Sequence, residues 1–258
     1  LLKEIWRSNG FAERKAVVAR ILAAMYKKLH KKPLWLISDR LGRASDNGEA
    51  LFNYLNEIKF ADASYFFAIR GGEDYTRLKK QGRVVDRASL KYKILHLAAD
   101  MIISSHAEDF VTNPFDYYSQ PYKDILCQKK FVFLQHGVTK DDLSSWLNRY
   151  AKNISGFVVS SPAEEKSILE GNYGYTEKEV WLTGMPRFDR LENKGEKFIT
   201  ILPTWRRYLA GEIDISSGEW KNSESVKNSE YMRFWNGLLN DEKLACALKK
   251  HGYRILFV

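Results

Sequence analysis

Short apolar runs recur along residues 34–182, each followed by a polar, loop-forming stretch. Leu34–Ile37, Ser64–Ile69, Val84–Val85, Met101–Ser104, Phe131–Leu134, Gly156–Val159 and Val180–Leu182 read as strands. Runs without apolar–polar alternation fit strands buried on both faces. Between them lie stretches with helical spacing. Glu49–Ile58 places Leu51, Phe52 and Leu55 on one side, and Leu90–Ala99 and Leu143–Tyr150 follow the same period. A further helix has a clear start: Ser161 as N-cap, Pro162 at the first helical position and Glu164 completing a capping box. Polar or Gly-bearing stretches such as Ser38–Gly48 and Arg70–Asp74 read as loops, as do Asn113-Pro114 and Gln120-Pro121. Strands alternating with helices predict an α/β fold, a parallel sheet covered on both faces.

The two ends differ from this middle. Residues 1–32 hold nine Lys/Arg against Glu4 and Glu13, a net +7 within a chain total of +9. From Phe11 onward Val17, Val18, Ile21, Leu22, Met25, Tyr26 and Leu29 recur near helical spacing. Two readings stand: a basic amphipathic helix for an anionic membrane surface, or a core-packed helix with solvated lysines. Basic and aromatic residues do not interleave in any nucleic-acid motif, so no nucleic-acid partner is expected. At the other end, Glu192–Lys197 reads as a linker, followed by a strand at Phe198–Leu202 and a loop at Pro203–Arg207. Beyond the polar stretch Gly211–Ser229 come helices at Tyr231–Leu239 and Glu242–Lys250 and a strand at Tyr253–Val258. The predicted organisation is a basic segment 1–32, a Rossmann-like domain 33–192, and residues 198–258 as an incomplete second domain. Two strands alone are too few for an independent sheet. Cys127 and Cys246 fit neither a metal spacing nor a disulfide framework and read as free thiols of a reducing compartment.

The most informative stretch is Phe131–Lys140. A buried strand ends at Gln135-His136-Gly137, placing an imidazole at the carboxyl edge of the sheet. Open α/β sheets bind ligands at that edge, and histidine moves protons near neutral pH. Glycine allows a tight turn or the close approach of a ligand. A hydrogen-bonded core histidine is the competing reading.

Three more segments share such positions: Ser38-Asp39-Arg40 to Asp46-Asn47-Gly48, Thr183-Gly-Met-Pro-Arg187-Phe-Asp189, and Leu202-Pro-Thr204-Trp-Arg206-Arg207. In this order the four segments resemble the CDP-glycerol glycerophosphotransferase family, whose members build teichoic acids and related polyol-phosphate polymers. The resemblance covers about residues 33–207. Where the family usually carries His-Gly-Thr-Pro-Leu-Lys, this chain has His136-Gly137-Val138-Thr139-Lys140: the proline is absent and the lysine is one position early.

The resemblance implies a glycosyltransferase-B-like fold of two Rossmann-like domains. An acceptor-side domain would reach to about residue 192, and a nucleotide domain, truncated in this chain, would begin near residue 198. It implies transfer of glycerol phosphate or ribitol phosphate from a CDP-polyol to a lipid-linked polyol-phosphate or glycan acceptor. CMP would leave, at the cytoplasmic face of the cell membrane, with no cofactor or metal. His136 is the expected general base. Arg206, Arg207, Arg187, Lys140 and Thr204 are the expected phosphate and donor contacts, since arginine suits bidentate phosphate binding. Helix starts after Gly137 and Ser161 offer oriented N–H groups. Arg206 and Arg187 have a competing role in pairing with acids such as Asp189. Asp39, Arg40, Asp46, Asn47, Gln135 and Gly137 are the expected acceptor-side residues, with helix capping the alternative for Asp39 and Asp46. His106 ends another strand, with a structural role favoured over one lining the same cleft. A nucleotide-sugar glycosyltransferase and a non-catalytic membrane-surface protein are the competing functions.

Overall fold

The computed structural model describes residues 11–115, 129–192, 194–204, 206–213, 220–222 and 224–258. Residues 1–10 of the basic segment, Gln120-Pro121, Cys127 and part of Gly211–Ser229 lie outside these. The chain divides into two compact units, Leu1–Leu191 and Glu192–Val258.

In the first unit, seven strands form one parallel sheet: β1 Leu34–Ser38, β2 Ser64–Ile69, β3 Val84–Asp86, β4 Met101–Ser104, β5 Lys130–Phe133, β6 Ile154–Val159 and β7 Val180–Leu182. Their order is β3-β2-β1-β4-β5-β6-β7. The chain winds outward from β1 to β3, returns beside β1 at β4, and winds the other way to β7. This is a doubly wound order, with its switch point between β1 and β4.

Both faces of the sheet are covered, as the apolar runs predict. The helices are α1 Phe11–Leu29, α2 Asn47–Glu57, α3 Glu73–Leu78, α4 Leu90–Ala98, α5 Asp109–Thr112, α6 Ser144–Leu147, α7 Arg149–Lys152 and α8 Pro162–Glu170. Leu36, Phe66, Ile102, Phe131 and Phe157 point to one face and pack with Ala23 of α1 and Tyr92 and Leu95 of α4. Their neighbours Ile37, Phe67, Ile103, Val132 and Val158 point to the other and pack with Phe52 and Leu55 of α2 and Leu78 of α3. Alternation along each strand thus serves two cores rather than a core and solvent.

Two local expectations change. The helix read over Leu143–Tyr150 is two short helices, α6 and α7. They break at Asn148, whose side chain accepts from the Ala151 amide at 3.0 Å and caps the second. The apolar stripe of α1 is not its docking face. Ala16, Ala19 and Ala23 are buried, whereas Val18, Ile21, Met25 and Leu29 are exposed. The small side chains let α1 lie close to α4, and Tyr26 adds to that core.

In the second unit, β8 Phe198–Ile201 pairs in parallel with β11 Arg254–Phe257, and β9 Ala210–Ile213 pairs antiparallel with β10 Trp220–Asn222. Helices α9 Glu230–Leu239 and α10 Glu242–His251 are capped by Ser229 and Asp241. Gly252 ends α10 with φ 71°, a left-handed turn that suits a residue without a side chain. Trp235 of α9 packs edge-on to Phe257 of β11 at 5.6 Å.

One buried group links this fold to pH. His96 of α4 is fully buried, and its Nε2 donates to the Val111 carbonyl at 3.0 Å. Burial pushes its pKa from 6.5 down to about 3. As pH falls below the unfolded value, the unfolded chain takes up a proton that the folded chain refuses. Stability is therefore full above that value and is lost progressively toward the folded value. Replacing His96 with Gln keeps a donor but removes the titration. The prediction is that His96→Gln loses less thermal stability than the unaltered chain between about pH 7 and about pH 4.5. Equal losses in both proteins would contradict it.

Candidate active site

The strands on either side of the switch point end close together, and each contributes to one hydrogen-bonded belt. Asp39, just after β1, is fully buried. Its carboxylate accepts from the amides of Gly48 at 2.8 Å, Glu49 at 3.0 Å and Asp46 at 3.2 Å, and from the Ser105 hydroxyl at 2.6 Å. One side chain thus closes the first turn of α2 and ties it to the ends of β1 and β4. Burial pushes the Asp39 carboxyl up, while the Ser105 hydroxyl and the Glu49 and Gly48 amides pull it back down. Close approach explains Gly48: a Cβ there would lie 2.6 Å from both Asp39 Oδ1 and the Ser38 carbonyl oxygen.

Asn47 extends the belt to β5. It is fully buried, its Nδ2 donates to the Gln135 carbonyl at 2.8 Å, and its Oδ1 accepts from the Arg187 amide at 3.1 Å. Asp46 caps α2 through the Asn47 amide and pairs with the Arg187 guanidinium. The Pro186–Arg190 turn is thereby joined to the same belt.

Gln135 aims the loop that follows β5. It adopts φ 58°, a left-handed conformation that costs a residue with a side chain about 1–2 kcal/mol. Three contacts hold it there. Nε2 donates to the Val158 carbonyl at 2.7 Å and to Glu164 at 2.9 Å, and Oε1 accepts from the Thr139 hydroxyl at 2.8 Å. The left-handed residue of the turn is thus Gln135, not Gly137. A Cβ on Gly137 would meet nothing within 4 Å, so open space lies beside it.

His136 comes out of this loop exposed. Its Nδ1 lies 3.3 Å from the Ser105 carbonyl oxygen. A carbonyl only accepts, so Nδ1 carries the proton and Nε2 presents its lone pair. The ring stacks on His106 with centroids 4.6 Å apart and planes 1° from parallel. Beneath it, Nδ1 of the buried His106 lies 3.2 Å from both Glu108 oxygens. Burial opposes charge on Glu108, but the His106 hydrogen bond, the charges of His106 and His136 and a backbone hydrogen bond together hold the carboxyl below its ordinary range. A cavity of about 220 Å³ adjoins the loop, lined by Gln135, His136, Gly137, Thr139, Lys140 and Trp146 among others. The arrangement fixes the ring in plane and in tautomer and leaves one nitrogen free, which is the geometry a general base requires.

The expected site residues therefore divide. His136, Gly137 and Lys140 share one cavity, and Arg40 is exposed. Asp39, Asn47 and Gln135 are buried and hydrogen-bonded and hold the loops, and Gln135 also lines that cavity. Helix capping describes Asp46. Arg187 pairs with Asp46 rather than with Asp189. The helix start at Ser161 is closed by its own cap. Glu164 accepts from the amides of Ser160 and Thr139, both at 2.8 Å, and the Glu164 amide goes to Ser161 at 3.2 Å. In the second unit, Arg206 lies over the Tyr231 ring at 5.8 Å, and the Thr204 carbonyl accepts from the Tyr231 hydroxyl at 3.3 Å. Arg207 begins the 3-10 turn Arg207–Leu209, and its side chain lies outside the described residues. His106, expected from the sequence as a structural strand-end histidine, stacks under His136, whereas Glu108 is not among the expected site residues. The available signal was Ser105-His106 at the end of one strand, matching Gln135-His136 at the end of the next strand in sequence, its neighbour in the sheet.

Residues 19–258 match the family described as CDP-Glycerol:Poly(glycerophosphate) glycerophosphotransferase. The minor teichoic acid biosynthesis protein GgaB of Bacillus subtilis (strain 168) is 39% identical over 247 residues, which is 95% of this chain and 27% of GgaB. The chain thus spans about a quarter of that relative. Among solved structures, the wall teichoic acid polymerase TagF as a histidine-to-asparagine variant soaked with CDPG has a TM-score of 0.56 at 14% identity, covering 93% of this chain and 59% of TagF. A histidine-to-alanine variant of TagF has a TM-score of 0.55 at 16% identity, covering 95% and 61%. At these identities the likeness establishes the fold alone.

The belt makes a stability prediction. Asn47→Ala leaves the buried Gln135 carbonyl and the Arg187 amide without their partner, at a cost of roughly 1–3 kcal/mol. Urea unfolding measures it, and an unchanged midpoint would show that the belt does not depend on Asn47.

Proposed function

The chain belongs to the CDP-glycerol:poly(glycerophosphate) glycerophosphotransferase family, and from that membership we propose that it carries the acceptor-activating part of a polyol-phosphate transferase. The donor is a CDP-polyol, with glycerol or ribitol as the polyol. The acceptor is the hydroxyl of a lipid-linked polyol-phosphate or glycan chain in teichoic acid or capsule-type synthesis. The observation that carries this reading is His136 at the switch-point edge, with Nδ1 donated to the Ser105 carbonyl and Nε2 free.

The acceptor hydroxyl gives its proton to His136 Nε2 as its oxygen bonds to the distal phosphorus of the donor. The bond from that phosphorus to the bridging oxygen breaks, and CMP leaves with the electron pair. His106 and Glu108 keep the imidazole in plane. Positive charge beside the phosphoryl oxygens lowers the barrier. Lys140 is the cation on the His136 loop. Arg206, Arg207 and Thr204 are assigned to the donor phosphates, and Arg187 contributes less because Asp46 already neutralises it. The second unit is the start of the nucleotide domain in a glycosyltransferase-B-like architecture.

Full-length protein bearing these residues is expected to release CMP from CDP-glycerol or CDP-ribitol when given a polyol-phosphate acceptor. His136→Ala should lose roughly 10²–10⁴-fold in rate, the usual contribution of a positioned base. Full activity in that variant would remove the base assignment. Turnover of UDP- or GDP-sugars with none of CDP-polyols would replace the whole reading by a glycosyltransferase.

The first helix supports a peripheral place on the cytoplasmic face of the membrane. Val18, Ile21, Met25 and Leu29 are 36%, 53%, 55% and 77% exposed, at spacings that share one side of a helix. Lys28, Lys31 and Lys32 are exposed near its end. Among the described residues no helix is long and apolar enough to cross a membrane. An apolar stripe with flanking lysines suits shallow insertion among anionic lipids. Binding to phosphatidylglycerol-containing vesicles should fall with added salt and fall again in Ile21→Glu/Met25→Glu. Partitioning that ignores both changes would contradict the assignment.

A further inference from the structure

A second cavity opens at the same carboxyl edge on the other side of the switch point. It measures about 390 Å³ and is lined by residues that include Leu41, Arg70, Arg87, Tyr92, Lys93 and Phe110. Its polar wall is incompletely satisfied. Arg87 is only 7% exposed, and its guanidinium lies between the rings of Tyr92 at 5.1 Å and Phe110 at 5.2 Å. Nη2 donates to the Phe110 carbonyl, but Nη1 is buried with no hydrogen-bond partner. The Tyr92 hydroxyl is buried beside this guanidinium, which interacts with it. A buried charged donor is costly to leave unpaired, and an acceptor from outside the protein would satisfy Arg87 Nη1.

The charge of the cavity selects an anion. Arg70, Arg87 and Lys93 face one acid, Asp109, and Asp109 is paired with Lys152 at 3.0 Å. A planar guanidinium with a free N–H suits phosphate oxygens. Apolar walls from Leu41, Phe110 and Phe115 suit a short carbon chain attached to that phosphate. The Phe110 ring that packs on Arg87 lies 6.3 Å from the His106 ring, on which the His136 ring stacks at 4.6 Å.

We propose that this cavity is a phosphodiester subsite for the acceptor, holding a phosphate of the growing chain behind the terminal hydroxyl that reacts at His136. The inference rests on the transferase reading above and adds to it the place where a phosphate of the acceptor is held.

Calorimetric titration of the full-length protein with a poly(glycerol phosphate) oligomer tests it, with neutral polyol and inorganic phosphate as controls. The oligomer should bind, and neutral polyol should not. The rim variant Arg70→Ser/Lys93→Ser, altered at the edge of the cavity, should bind the oligomer roughly tenfold more weakly, with a melting temperature like that of the unaltered protein. Arg87→Lys should weaken binding further; if it fails to fold, the rim variant alone decides. Undiminished binding by the rim variant would overturn the proposal. So would binding of inorganic phosphate with no gain for the oligomer, the mark of an adventitious ion only. Binding of phosphatidylglycerol vesicles through these residues, with none of the oligomer, would overturn it in favour of a lipid headgroup. CDP-glycerol turnover, scored separately, keeps the two readings apart. Its absence with oligomer binding intact removes the transferase and leaves the subsite; turnover with oligomer binding indifferent to the rim residues does the reverse.

Discussion

The buried carboxylate of Asp39 holds together elements that would otherwise end independently. A helix start leaves amides without partners, and a parallel sheet leaves strand ends to be joined by loops. Asp39 answers both by accepting from three amides at the start of α2 and from Ser105 after β4. Asn47, one turn away, carries the same connection to β5 and to Arg187. With these ties in place, the Ser105 carbonyl has a fixed position, and it is this carbonyl that sets the His136 tautomer. The chemistry proposed for His136 therefore depends on a carboxylate that never meets the substrate.

The same geometry explains why the left-handed residue in the loop is a glutamine. Glycine would adopt that conformation without cost, but it would leave Glu164, Thr139 and the Val158 carbonyl without the partner they share. The backbone strain is offset by hydrogen bonds in a buried place, where such bonds are costly to leave unmade. The outcome is a rigid turn that presents His136 and leaves Gly137 beside open space.

Much of this was legible in the sequence. Apolar runs without alternation marked the strands of a sheet covered on both sides, and Ser161-Pro162 marked the start of α8. The position of His136 at the sheet edge was legible from the apolar run before it, and its exposure decides against the competing reading of a core histidine. What escaped was set by contacts distant in sequence. Arg187 meets Asp46 across the fold, and no local spacing distinguishes that partner from Asp189. His106 lies under His136 because β4 and β5 are neighbours in register, a fact of topology rather than of motif. The two readings of α1 stayed open in the sequence because alanines, weak in any hydrophobic pattern, form its docking face and leave Val18, Ile21, Met25 and Leu29 exposed.

Two unequal walls emerge at one sheet edge: a fixed imidazole with a free nitrogen, and a basic cavity with an unpaired Arg87 donor beside the Phe110 ring. Their common premise is that His136 is held as the Nδ1–H tautomer. Nitrogen-15 NMR of histidine-labelled protein, at a pH where the ring is neutral, reads this tautomer from the ring nitrogen shifts. The geometry requires Nδ1 to be the protonated nitrogen of His136 and Nε2 the bare one. A spectrum with the proton on Nε2 would contradict it, since the nitrogen facing the acceptor would then have no lone pair to receive a proton.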